Sequence, residues 1–226
     1  METRAYPQFY LDDAQKNLGV MFDYALRVLG YDENQFFIYF IQSGVAEKFE
    51  RANPKYIAGI SGIDLCDNVL QKIGESAALP KNLRARQGGD IVIEHGPEYW
   101  LGWILAYYQW HSALRFSDLQ EYGLAPSEIL SRYILHEADV SKFVDVANKI
   151  ILKNKMASST RLQKLRKARG LTQAALADLS GVSLRMIQLY EQRKSDINKA
   201  SGDAINALAR ALCCNFYDVM EINVAE

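Results

Sequence analysis

A chain of 226 residues, 49% hydrophobic and 23% charged, has the composition of a folded globular protein, which excludes disordered and collagen-like readings. Its formal net charge of −1 hides a division: residues 1–150 hold 14 Lys+Arg against 20 Asp+Glu, whereas residues 151–226 hold 12 against 7. The basic segment suits a polyanion, because cationic side chains displace counterions condensed on phosphates; the acidic one does not.

No apolar run approaches the ~20 residues that span a bilayer, and the start METRAYPQFYLDDAQKN lacks the basic-then-apolar pattern of a secretory signal. The expected location is therefore cytoplasmic, with no membrane partner. Cys66, Cys213 and Cys214 have neither disulfide-framework nor zinc spacing and read as buried small apolar residues.

In chain order, Leu11, Ala14, Leu18, Met21, Phe22, Ala25, Leu26 and Leu29 recur at helical steps and predict one amphipathic helix from Tyr10 to Leu29. Asp32 is a suitable N-cap for a second, running to about Arg51, before Asn53-Pro54 breaks the chain. Ser61 and Asp64 have capping-box spacing for a short helix to about Ile73. The run GISGID, residues 59–64, lacks the pattern of a phosphate-binding loop, so the same helix start accounts for it.

Glycines and prolines make residues 74–97 irregular, with DIVIEH at 90–95 a candidate strand. Beyond them EYWLGWILAYYQWHSAL reads as a buried helix, on which Trp100, Trp103, Tyr107 and Trp110 form one stripe; core packing is the first reading, and an apolar ligand pocket or a groove for a partner protein the alternatives. Short helices near Phe116–Tyr122 and Pro126–Tyr133 precede a longer one from Val140 to about Lys153. His95, His111 and His136 have no metal-site spacing, and no nucleophile, base and orienting group can be assembled, so no enzyme, metal or cofactor is expected.

The polar segment 154–160 reads as a linker between a helical domain, 1–153, and a second domain, 161–226. In the second, QAALADLSGVSLRMIQLY at 173–190 has the form of two helices crossing through a tight turn. Ala177 is small where the axes approach, Gly181 tolerates positive φ in the turn, and Ile187 faces back into a core shared with Leu176, Leu179, Val182 and Tyr190.

This region resembles the Cro/repressor-like, or xenobiotic-response-element, family of helix-turn-helix regulators. The resemblance is carried by Leu165-Arg166, Leu171-Thr172-Gln173, Leu176-Ala177, Ser180-Gly181-Val182-Ser183, Ile187 and Tyr190-Glu191, with INKASGDAINALARAL and NFYDVM as further helices. It implies an all-α protein with a C-terminal five-helix lambda-repressor-like helix-turn-helix domain, binding double-stranded DNA to regulate transcription. It also places Arg166 and Glu191 face to face. Arg193 departs from it, since many members carry Gly after the recognition helix.

In that frame Ser183 to Gln192 is the recognition helix. Leu184, Arg185 and Gln188 are the expected base readers: Leu184 for a thymine methyl, Arg185 for guanine and Gln188 for adenine. Ser183 caps the helix and reaches a phosphate, Gln173 contacts a phosphate from the start of the preceding helix, and Gln192, Arg193 and Lys194 lie along the DNA backbone. One short helix reads few base pairs, so a homodimer is expected. The acidic half resembles the region that accompanies such domains in regulators encoded beside small toxin-like genes, which implies an antitoxin with a toxin partner. The alternative is a ligand-sensing repressor.

Overall fold

The computed structural model describes residues 4–75 and 95–223, and among these it is helical with no strand. The strand expected at 90–95 lies outside the described residues except for His95. The chain divides into two compact units, Met1–Ile151 and Leu152–Val224. No helix among the described residues is long and apolar enough to cross a membrane.

The first unit is built around α1 (Leu11–Asp23), which continues through a π-turn, Tyr24–Val28. Its buried face is the one the periodicity marks, with Ala14, Leu18, Met21, Phe22 and Ala25 fully buried. Asp32 caps α2 by accepting from the N–H groups of Asn34 and Gln35. The expected single helix to Arg51 is instead two, α2 (Glu33–Gln42) and α3 (Val45–Glu50). Gly44 between them has φ +70°, a conformation that ends a right-handed helix and that glycine adopts without steric cost. The bend lets Phe37, Phe40, Phe49 and Phe116 converge with centroids 5.0–6.5 Å apart, Phe37 stacked on Phe40 and the other contacts edge-on.

Ser61 caps α4 (Gly62–Ile73), its hydroxyl accepting from the Asp64 N–H and donating to the Asp64 carboxylate. The aromatic run forms α5 (Pro97–Ser112), and side chains are excluded where α1 is approached by α5 and by the start of α4. A Cβ on Gly102 would stand 2.1 Å from the Leu18 carbonyl oxygen, and one on Gly62 2.4 Å from that of Asn17. Because backbone, not a flexible side chain, blocks the site, Gly102→Ala must push the helices apart. It is expected to cost about 1–3 kcal/mol, as overpacked cores do. A urea titration followed by tryptophan fluorescence checks this, since Trp100, Trp103 and Trp110 are all of the chain's tryptophans and all lie in this unit.

The aromatic stripe is only partly core. Trp100 and Trp110 are buried, the latter donating its indole N–H to the Tyr6 carbonyl, but Trp103 and Tyr107 are half-buried and stack on each other. The deeper face of α5 carries Leu101, Ile104, Leu105 and Tyr108. Short helices α6 (Phe116–Glu121) and α7 (Pro126–Leu130), then a 3-10 turn at Tyr133–Glu137, lead into α8 (Val140–Ala157). Helix α8 continues four residues beyond the expected end at Lys153, so most of the segment read as a linker is helical. Of the cysteines only Cys66 is fully buried. Cys213 is exposed because it occupies the left-handed C-cap of a helix, where the chain turns outward.

Candidate nucleic-acid interface

Among the described residues, five α-helices lie wholly within the second unit: α9 (Arg161–Ala168), α10 (Gln173–Ser180), α11 (Leu184–Glu191), α12 (Gly202–Leu212) and α13 (Phe216–Val219). Four of them start at a hydroxyl cap. Thr160, Thr172, Ser183 and Ser201 each accept an N–H three residues on, which supplies a partner to one of the donors that a helix start leaves unpaired. Leu162, Leu176, Ile187, Tyr190, Ile197, Ile205, Leu208 and Leu212 form a common core.

Between α10 and α11, Gly181 has φ +71° and closes α10 through its N–H to the Ala177 carbonyl. Ala177 and Val182 are partly buried against the core, and Ile187 and Tyr190 are buried in it. Leu179 is not part of it. The inward face of α10 is set by Leu176 and Ala177. At about 100° per residue Leu179 lies roughly 60° beyond Leu176 on the far side from Ala177, and it is 63% exposed.

The buried face of α11 carries Ile187, Tyr190 and Glu191. Leu184, Arg185 and Gln192 are therefore exposed and Gln188 half-exposed on the opposite face, with Lys194 exposed just beyond the helix. Leu184 leaves 40% of its surface in water although it is apolar. This face presents a methyl-bearing, a guanidinium and a carboxamide side chain together, a set able to meet a thymine methyl, a guanine edge and an adenine edge. Ser183 caps α11 as expected, accepting from the Met186 N–H at 3.3 Å.

An internal ion pair fixes this helix. Arg166 Nε donates to Glu191 Oε1 at 2.6 Å and Nη2 to Oε2 at 2.9 Å, while Nη1 donates to the Leu171 carbonyl. Burial pushes the Glu191 carboxyl up, but hydrogen bonds from Arg166 and Gln173 more than offset that and hold it below the ordinary carboxylate range. The pair joins α9 to the end of α11, and Gln173 adds the start of α10.

Two residues assigned to DNA are placed differently. Gln173 Nε2 donates to Glu191 Oε2 at 2.8 Å, so its amide serves the ion pair. The helix start it occupies leaves main-chain N–H groups without intrahelical partners, of which the Thr172 hydroxyl takes that of Ala175. Arg193 turns inward: Nη1 donates to the Ser158 carbonyl at 2.8 Å, and Nη2 lies 3.5 Å from Glu221. Its φ of +52° explains why glycine suits this position, and the two anchors hold an arginine there despite the steric cost. Glu221 also accepts from the Arg161 N–H, a clamp that no local signal announces because its partners are distant in sequence.

A helix-turn-helix family model matches residues 162–216, the segment that spans α9 through the start of α13. No curated protein and no solved structure matches the chain.

Proposed function

We propose, taking residues 162–216 as a helix-turn-helix domain of the Cro/C1 type, that this chain is a transcription regulator that reads its operator with the exposed face of α11. The observation that carries the reading is the segregation of that helix: Ile187, Tyr190 and Glu191 hold it to the domain, which leaves Leu184, Arg185 and Gln188 together and outward. Gln192 and Lys194 are assigned to phosphates at its C-terminal end, with Ser183 and the start of α10 at the other. Gln173 contributes through its main chain, and Arg193 is left out of the contact set.

Arg185→Ala is expected to weaken binding at the preferred site by about 1–3 kcal/mol with little change on random DNA, whereas Lys194→Ala weakens both alike and lowers the salt slope by about one. Fluorescence-anisotropy competition at several salt concentrations separates the two. Unchanged site preference in Arg185→Ala would remove that side chain from base readout. The reading includes a homodimer on half-sites about 34–36 Å apart, so the same titration should saturate at two chains per duplex.

For residues 1–153 we propose a protein-binding role, as dimeriser or as the neutralising part of an antitoxin. Their excess of acidic residues, 20 against 14 basic within 1–150, favours capture of a basic partner. A neighbouring gene whose product is toxic alone, and remains toxic when this chain is co-expressed, would count against it. A second reading, a ligand-sensing repressor, is favoured by a cavity in the first unit.

A further inference from the structure

The cavity lies between the start of α5, the Tyr133–Glu137 turn and the start of α8. It has a volume of about 340 Å³, at the lower end of the range of small-molecule sites. Rings make most of its wall: Tyr99, Trp100, Trp103, Tyr133 and Phe143, with His95 and His136 among them.

The rings are already ordered against one another. Tyr133 and His136 are stacked, centroids 4.1 Å apart and planes within 4° of parallel, and Trp100 stands edge-on to both Tyr133 and Phe143. A wall of pre-set ring faces favours a flat aromatic guest, because stacking then costs little side-chain ordering. Residues such as Trp103 and Tyr133, only half-buried, keep part of their ring surface for such a contact.

His136 adds polarity with a defined sense. Its Nδ1 lies 2.7 Å from the Tyr133 carbonyl oxygen. A carbonyl can only accept, so Nδ1 carries the proton and, in the neutral ring, Nε2 is left as an acceptor. Glu137 Oε1, itself an acceptor, lies 3.9 Å from Nε2, beyond hydrogen-bond reach. A ligand group that pairs with Nε2 of the neutral ring must therefore bring an N–H or O–H.

We propose that this cavity binds a planar aromatic molecule bearing a ring N–H or O–H, of the indole or phenol class, with the donor directed to His136 Nε2. The inference rests on the ligand-sensing reading for the purpose it would serve, but not for the binding itself.

The test is calorimetric titration of the full chain with indole and 1-methylindole, and with 2-naphthol and 2-methoxynaphthalene. Within each pair the second member keeps the flat ring and lacks the donor. Wild type is expected to bind the donor member about three- to tenfold more tightly, the range for one net hydrogen bond. His136→Phe, which keeps a ring against Tyr133, should bind both members equally, and Trp103→Ala should weaken all four compounds. A preference that persists in His136→Phe would be steric and would overturn the assignment. Equal binding by wild type, or no binding of any compound at millimolar concentration, would also overturn it. Operator affinity of the unliganded chain, measured in parallel, stands or falls separately: bound aromatics that leave it unchanged would sink the sensing reading and keep the site.

Discussion

Glu191→Ala is expected to destabilise the helix-turn-helix unit by about 3–5 kcal/mol, the cost of leaving one member of a buried ion pair uncompensated. The side chains of Arg166 and Glu191 are 10% and 1% exposed, and the guanidinium has no water to fall back on when its carboxylate is removed. The loss reaches function because the pair fixes the C-terminal end of α11 to α9. Hydrogen exchange resolved to peptides within 161–223 would show it, as faster exchange across α9 and α11. Glu191→Gln, which keeps an acceptor for Arg166, should lose less. An Arg166→Met, Glu191→Leu double variant should recover much of the stability, because apolar replacement removes both buried charges together. If Glu191→Ala left exchange across α9 and α11 unchanged, the pair would not be what holds α11.

Stability of the first unit should fall as pH rises from about 4.5 to 7, and Glu50 is the reason. Its carboxylate accepts the Phe116 N–H at 2.9 Å, joining α3 to the start of α6. Burial pushes its pKa up to about 7, beyond what that N–H and nearby Arg115 pull back. In this window the folded chain holds a proton that the unfolded chain has released, so unfolding gains as pH rises. The displacement from 4.5 to about 7 corresponds to roughly 3 kcal/mol across the window. Glu191 has the opposite sign, since its lowered pKa gives a contribution that is complete above the ordinary carboxylate range and lost on acidification. Urea titrations followed by tryptophan fluorescence report on the first unit, where every tryptophan lies and where burial also raises the Asp67 carboxyl and adds to the slope with the same sign. Glu50→Gln keeps an acceptor for Phe116 and should lose this component of the slope; an identical pH profile in the variant would rule Glu50 out as its source.

The helix-turn-helix was legible because its determinants are local. A residue tolerating positive φ at Gly181, hydroxyl caps such as Ser183, and apolar positions such as Ile187 all act within one or two turns, so order along the chain stands for order in space. The pairing of Arg166 with Glu191 came from the family resemblance and is present as a bidentate contact. Leu179 was misplaced because a helical step of three from Leu176 fits the inward face as well as its edge, and only the packed partner chooses between them.

What the sequence by itself determined is therefore the all-α class, most helix starts, and the presence and register of the helix-turn-helix, since caps, turns and periodicity depend on neighbours in the chain. What only the tertiary structure decided depends on residues far apart. The Gly44 break in the second helix accompanies the convergence of Phe37 and Phe40 with Phe49 and Phe116, and Gly102 is demanded by the carbonyl of Leu18. Arg193 turns inward toward Ser158 and Glu221, and the cavity joins the start of α5 to the turn at Tyr133–Glu137. In each case a side chain or backbone group is placed by where a distant segment offers a partner or leaves room, and spacing along the chain carries no record of that.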